Sequence, residues 1–349
     1  MEKYDIVTAL LEREQLVTPS VLDEAYMRGV VPSSDKFIID TLTEDVKIVK
    51  NLLTKPKEAD TKMYLEFYVS KYNKMKEIFT SRFNRNFVSL NKLDASRSDV
   101  TVFGIVKDMK GNTIELEDMT SSVSVVFDVP IEKVERDDAI AVEGASGGKV
   151  VYGKKILFAD VPIRQATTGQ GKACFVSDLR LNETPPADAE RFFKWFSNES
   201  FDYLFICGDV GDKVALERMI SMHCAGRKVI VSPGPADGGE YPQTPLEIKG
   251  AVCVSNPAVV EVGGLKTLMA RDFDLMMLRK RYLGRSKVIL PEDFLVLDSV
   301  PDIVHCGRTG QPRVENYKSV SIVNSGSLLE EFKPVVIDFA TRDVKQVMI

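Results

Sequence analysis

The chain has 349 residues, 44% hydrophobic and 28% charged, with a formal net charge of −5. This length and composition fit roughly two domains with ordinary buried cores, and the acidic balance argues against a free-standing nucleic-acid-binding domain, which usually carries a basic surplus. Cys174, Cys207, Cys224, Cys253 and Cys306 form no CxxC pair, and no stretch approaches the ~20 apolar residues of a membrane helix, so the expectation is reduced, buried thiols in a soluble cytoplasmic chain with no membrane partner.

Residues 1–45 read as a small helical module. One helix runs to residue 14; Thr18-Pro19 then opens a second as N-cap and first helical position, with Val21, Leu22, Ala25 and Tyr26 on one face and Gly29 closing it. Pro32-Ser33-Ser34-Asp35 reads as a loop. This module holds four Lys/Arg against ten Asp/Glu, whereas residues 46–97 hold twelve against five. The second stretch reads as a basic helical connector, and a solvated helix explains its charge most simply. Its apolar residues Tyr64, Phe67, Tyr68, Tyr72, Met75, Ile78 and Phe79 recur at helical spacing, which predicts core or interface packing rather than base stacking. Lys71, Lys74, Arg82 and Arg85 are the candidates to face DNA.

Residues 98–165 change to short alternating strands, predicted at 101–107, 113–117, 122–128, 139–144 and 149–158, with turns at Lys110-Gly111-Asn112 and Ser146-Gly147-Gly148. Five strands in roughly sixty residues fit a small barrel of OB-fold type. Its few aromatic residues, Phe103, Phe127, Tyr152 and Phe158, make a structural or protein-binding role as natural as single-strand binding. Gly147-Gly148 and Gly169-Gln170-Gly171-Lys172 do not link a strand to a helix as a phosphate loop must, and residues 167–171 read as a linker.

Residues 172–349 read as α/β. Strands are predicted at 173–177, 203–207 and 228–232, alternating with helices near 187–197 and 213–223; later strands fall at 295–297, 303–305, 320–324 and 335–339. The early strands run into loops rich in Asp or Gly: Asp178-Leu179-Arg180, Gly208-Asp209-Val210-Gly211-Asp212 and Pro233-Gly234-Pro235-Ala236-Asp237. Functional groups in open α/β sheets collect at such carboxyl ends.

These loops, in this order, resemble those of the calcineurin-like metallophosphoesterases, which clamp two divalent metals so that a bound hydroxide attacks phosphorus. Over nearly the whole chain the sequence is more similar to the small subunits of archaeal family-D DNA polymerases, and through them to the B-subunits of eukaryotic replicative polymerases. The basic stretch 67–93, the barrel, Val161-Pro162, Ser177-Asp178, Tyr241-Pro242-Gln243, Leu278-Arg279-Lys280-Arg281-Tyr282-Leu283, Val300-Pro301-Asp302-Ile303-Val304-His305 and Asn324-Ser325-Gly326 carry this resemblance; residues 1–40 match least. It implies a calcineurin-like sandwich domain preceded by the barrel and the helical segment.

Where the family is catalytic, this chain departs from it. Asp178 and Asp209 keep the two aspartate positions, but Arg180 replaces the first histidine, Pro235 and Ala236 replace an Asn-His pair ahead of Asp237, Ala270 or Arg271 stands where another histidine belongs, and Arg308 and Gly310 replace the last two. His223 and His305, the only histidines, are expected outside any metal shell. Asp178 and Asp209 alone would hold a cation weakly, so the two divalent metals are expected to be absent. Arg180 and Arg308 would instead pair with the carboxylates of Asp178, Asp209 and Asp237. The resemblance then implies a non-catalytic accessory subunit of a replicative polymerase, cytoplasmic and nucleoid-associated, whose partners are a large catalytic subunit and DNA within the complex. Two alternatives stay open on sequence: an active metal-dependent 3′–5′ exonuclease, favoured by the retained aspartates, and a single-stranded DNA-binding protein acting through the barrel.

Overall fold

The computed structural model describes residues 3–12, 15–28, 38–39, 46–53, 60–307 and 311–349. At the N-terminus, helices α1 (Lys3–Leu11) and α2 (Pro19–Arg28) bury Ile6, Leu10, Val21 and Ala25 in one small cluster. Strands β1 (Leu16–Val17) and β2 (Ile38–Ile39) pair in parallel beside them. Pro19 opens α2 as its fixed φ favours. Tyr26, expected on the buried face, is largely exposed, and the Lys3 ammonium lies 5.4 Å from its ring centroid. Gly29 and the 32–35 turn lie outside the described residues.

The stretch expected to be a helical connector begins with a strand instead. β3 (Lys47–Lys50) pairs antiparallel with a strand more than two hundred residues later, a long-range pairing that local charge cannot signal. Then α3 (Thr61–Phe83) runs 23 residues, opened by the Asp60 carboxylate accepting the Met63 N–H at 2.8 Å and closed by Asn84 in the left-handed region.

Five strands follow: β4 (Asp99–Lys110), β5 (Thr113–Glu117), β6 (Ser122–Phe127), β7 (Ala139–Ser146) and β8 (Val150–Leu157). They close into a barrel in the order β4-β5-β6-β8-β7, with inward Val102, Val106, Ile114, Leu116, Val125 and Ile140 filling it. Tyr72, Met75 and Phe79 of α3 seal the barrel's flank against Phe103, Ile105 and Leu157, and Val296 from the next unit reaches the same cluster. From Tyr68 to Phe79 the aromatic stripe is therefore packing, as its spacing predicts, whereas Tyr64 at its start is exposed.

The rest of the chain forms two facing six-stranded sheets. The first contains β9 (Lys172–Ser177), β10 (Tyr203–Cys207), β11 (Lys228–Ser232), β12 (Val252–Cys253), β18 (Val335–Asp338) and β19 (Val344–Gln346), in the order β12-β11-β10-β9-β18-β19. The second orders β16-β17-β15-β14-β13-β3, from β13 (Ala258–Val262), β14 (Leu265–Met269), β15 (Ile303–His305), β16 (Arg313–Tyr317), β17 (Val320–Asn324) and the early β3. Phe175, Phe205, Ile230, Val260, Met269 and Ile303 fill the space between them. Helices α4 (Pro186–Asn198) and α5 (Lys213–His223) cover the first sheet through Phe192, Phe193, Phe196, Leu216 and Ile220. Helix α6 (Leu275–Lys280) and the chain after it cover the second through Leu278, Leu283, Leu295 and Leu297. Residues 295–297 are thus not a ladder strand, for Val296 makes only an isolated bridge to Tyr282. The β13–β14 hairpin and the edge strands β16 and β19 lie beyond the predicted strands. All five cysteines are free, and all but Cys253 are buried.

Candidate functional site

Register brings the acidic loops together. In the first sheet Ser177 and Ser232 both lie opposite Cys207, so the loops that begin at Asp178, Gly208 and Pro233 leave the sheet at one level. In the second sheet Met269 lies opposite His305, so Ala270-Arg271 and Cys306-Gly307 emerge side by side. The site lies where these two sets of carboxyl ends meet.

Close backbone packing shapes the loops. Gly208 has φ 98°, and a Cβ there would fall 2.5 Å from Asp178 Oδ1 and 2.8 Å from Arg271 Cγ, so only glycine fits. A Cβ at Gly234 would overlap the Asp209 carboxylate and amide. Asp178 and Arg180 themselves adopt left-handed φ values of 49° and 44°. That geometry costs roughly 1–3 kcal/mol at a non-glycine residue. Backbone bonds pay for it, the N–H groups of Arg180 and Leu181 donating to the Asp209 and Val210 carbonyls at 3.0 and 2.9 Å.

At the centre lies a side chain the sequence reading noted only as a possible stand-in for a lost histidine. Arg271, 9% exposed, points its guanidinium between the two retained aspartates: Nε donates to Asp178 Oδ1 at 3.3 Å and Nη2 to Asp209 Oδ2 at 3.1 Å. Nη1 donates to Asp272 Oδ1 at 3.2 Å. Burial works against this charge, but Asp178, Asp209 and Asp272 together hold its pKa above the ordinary arginine value. Asn256 fixes its backbone and is itself held by Gln243, one of the residues that carry the resemblance. Gln243 Nε2 donates to the Gly234 and Gly238 carbonyls, Asn256 Nδ2 donates to Gln243 Oε1 at 2.8 Å, and the Arg271 N–H donates to Asn256 Oδ1 at 3.2 Å. On the other side Ser177 Oγ bonds to Asn324, Ser325 and Gly326.

The expected arginine pairing is present in part. Arg180 Nη2 lies 3.6 Å from Asp209 Oδ2, a longer and more exposed contact than that of Arg271 with the same oxygen. Arg308 and Gly310 lie outside the described residues. Asp237 acts as a loop brace, its carboxylate accepting the N–H groups of Val210, Gly211 and Gly234 at 2.8–3.0 Å. Pro235 and Ala236 sit in a single 3-10 turn, where the Ala236 N–H donates to Asp209 Oδ1 at 2.9 Å. Among the described residues the donors at this site do not fit two divalent metals. Asp178 and Asp209 already face a guanidinium, and the described neighbours add peptide N–H groups rather than imidazoles.

The histidines lie apart from this pairing. His223 ends α5, with its ring centroid 6.3 Å from that of Phe193 and Nε2 3.6 Å from Glu190 Oε1. His305 is wholly buried at the end of β15, edge-on to Phe175 at 5.2 Å. Burial drives its pKa down to about 3, with only weak opposition from the Val176 backbone.

Lys71 does not face solvent and cannot face DNA in this fold. It is 5% exposed, its Nζ 3.8 Å from the Tyr282 ring centroid, and burial lowers its pKa against the pull of Asp293, Asp137 and Asp138. Lys74 turns to the sandwich, its Nζ donating to the Asp293 carbonyl at 3.0 Å and lying 2.7 Å from Glu292 Oε1. Arg85 is exposed and pairs with Glu143 at 2.6 Å, while exposed Arg82 borders a cleft of about 620 Å³ between α3 and the sandwich.

No protein-family model matches the chain. Its sequence is 24% identical over 346 residues to the DNA polymerase II small subunit of Methanothermobacter thermautotrophicus, covering 75% of this chain and 72% of that protein. It is 25% identical to the protein of the same name from Archaeoglobus fulgidus, covering 81% and 74%, and 25% identical to that from Pyrococcus furiosus, covering 80% of this chain and 60% of the relative. Among solved structures, an archaeal phosphodiesterase superposes with a TM-score of 0.38 at 14% identity, over 51% of this chain and 99% of its own. Vacuolar protein sorting 29 from Cryptosporidium parvum gives a TM-score of 0.32 at 16% identity, over 52% and 97%. By sequence, the chain is similar to the archaeal DNA polymerase II small subunits over three quarters or more of its length.

Proposed function

We propose that the chain is the accessory small subunit of a family-D DNA polymerase, that it binds a large catalytic subunit, and that it has no hydrolytic activity of its own. Similarity to DNA polymerase II small subunits over 75% and 81% of the chain carries the assignment. We read residues 98–165 as an OB fold, since the strand order 1-2-3-5-4 of a closed barrel is the order that fold uses. Residues 172–349 are read as a calcineurin-like domain that keeps its loop framework without its hydrolytic centre, residues 46–97 as the segment that locks it to the barrel, and residues 1–45 as a separate module. Arg271 supports the loss of hydrolysis, because it engages the same carboxylates that a metal pair would need. Such a subunit contributes rigid surface, and its place is the cytoplasm, at the nucleoid during replication. Of the α3 region's four candidate cations, Arg82 and Arg85 are exposed enough to meet a phosphate backbone, so the DNA-facing part of the proposal narrows to them.

Co-expression with the large polymerase subunit of the same genome tests this. The two chains should co-elute, and primer extension should exceed that of the large subunit alone. The purified small chain should not shorten single-stranded 3′ ends in Mn2+. Failure to co-elute would remove the accessory assignment, and Mn2+-dependent trimming abolished by Asp209→Ala would replace it with the exonuclease reading.

A further inference from the structure

We propose that the Arg271 guanidinium is a resident cation of this site, standing in place of divalent metal between Asp178 and Asp209 and closing that pair to it. The inference deepens the reading of the sandwich as non-hydrolytic. Association with a large subunit is measured separately, so either proposal can fail alone.

Three observations carry it. First, three different nitrogens of one buried guanidinium reach three carboxylates at 3.1–3.3 Å, Asp178, Asp209 and Asp272, which uses the planar fork in three directions at once. Second, backbone engages the pair as well: Asp178 Oδ1, already bonded to Arg271 Nε, also accepts the Asp209 N–H at 3.1 Å, and the second oxygen of Asp209, Oδ1, accepts the Ala236 N–H at 2.9 Å. A divalent ion at 2.0–2.6 Å from both carboxylates would have to share them with a cation roughly 3 Å away, and their repulsion in a poorly hydrated pocket opposes that strongly. Third, Arg271 is held at both ends. Its N–H is bound by Asn256, its carbonyl accepts the Gly307 N–H at 3.0 Å, and its Cγ packs against the Cα of Gly208, where a Cβ would lie 2.8 Å away. The side chain is built in rather than swung over the site.

Without the guanidinium the site would keep buried negative charge and the geometry to attract a metal. Arg271→Ala should therefore melt lower by on the order of 10 °C in EDTA, the loss expected when one partner of a buried ion pair is removed. Millimolar Mn2+ should restore about half of that drop, while the wild-type midpoint should stay where it is. Arg271→His adds an imidazole to the two carboxylates, and free Mn2+ followed by electron paramagnetic resonance should show it binding at least about tenfold tighter than the wild type. Stoichiometric Mn2+ binding by the wild type, or variants that Mn2+ neither stabilises nor binds, would overturn the proposal. If Arg271→Ala does not fold with or without Mn2+, Asp178→Asn/Asp209→Asn/Arg271→Met decides. Folding of this variant, which removes the guanidinium together with the two carboxylates it bridges, supports the counter-cation role, and its failure assigns Arg271 to packing alone.

Discussion

His305 sits at the end of β15 with its ring edge on Phe175, and the surrounding sheets keep it neutral down to a pKa of about 3, against 6.5 when free. Between those values the unfolded chain binds the extra proton. The residue's contribution to stability is thus complete above about pH 6.5 and is lost as the pH falls towards 3, at up to about 1.4 kcal/mol per pH unit. Unfolding free energies from urea titrations at pH 7.5 and pH 5 should differ by about 2 kcal/mol from this residue. His305→Leu should remove that difference; an unchanged acid limb would assign it to other groups. Arg271 shows what sequence conceals at this scale. Asp178 and Asp209 were legible because their loops follow strands that announce themselves, and Arg180 because it replaces a histidine two residues on. Arg271 follows Met269-Ala270 at a strand end with no local mark of burial, and its role depends on the register of two sheets. The signal available was an Arg-Asp pair directly after a hydrophobic strand, near the place of a missing imidazole.

The segment from Leu278 to Leu283 works as a latch between units. Lys280 Nζ lies 2.9 Å from Asp138 Oδ2 of the barrel's β6–β7 loop, with the two side chains only 13% and 8% exposed. Tyr282 donates to Asp293 Oδ2 at 2.9 Å beneath the Lys71 ammonium, and Arg281 donates from Nε and Nη2 to the Leu297 and Asp298 carbonyls. Burial raises the Asp138 pKa, so its charge depends on the lysine beside it. Lys280→Met should lower stability by about 3 kcal/mol, because the carboxylate is left buried with the Glu135 N–H but without a cation. The same change in an Asp138→Asn background should cost less than about 1 kcal/mol, which a double-mutant cycle in urea measures. Elements with strong local patterns were the readable ones. β10, α5, β11, β15 and β17 fall on their predicted bounds because β-branched runs and amphipathic spacing define them. β3 was not readable, since Lys47-Ile48-Val49-Lys50 becomes a strand only beside Val259 and Val260.

For the molecule as a whole, α3 and β3 bind the parts together. The N-terminal module buries Ile6, Leu10, Val21 and Ala25 among themselves, so removing residues 1–45 should leave the denaturation midpoint of the rest within about 1 kcal/mol. Removing residues 1–53 instead takes β3 from its sheet, together with the Leu52 N–H bond to Ser255 Oγ at 2.9 Å and the Asn51 Oδ1 bond from the Ser255 N–H at 2.7 Å. That should cost at least about 2 kcal/mol by denaturant titration. A larger effect of the shorter truncation would show that the module is part of the main fold. The late pairing of β3 also has a consequence on the ribosome. β3 pairs with Val259, Val260 and Glu261, so at roughly 5–20 residues per second it leaves the tunnel some 10–40 s before its partner is made. During that interval Ile48 and Val49 form an unsatisfied edge open to other nascent chains. Lys47 and Lys50, one on each side, are the charges that keep such an edge from recruiting the wrong strand.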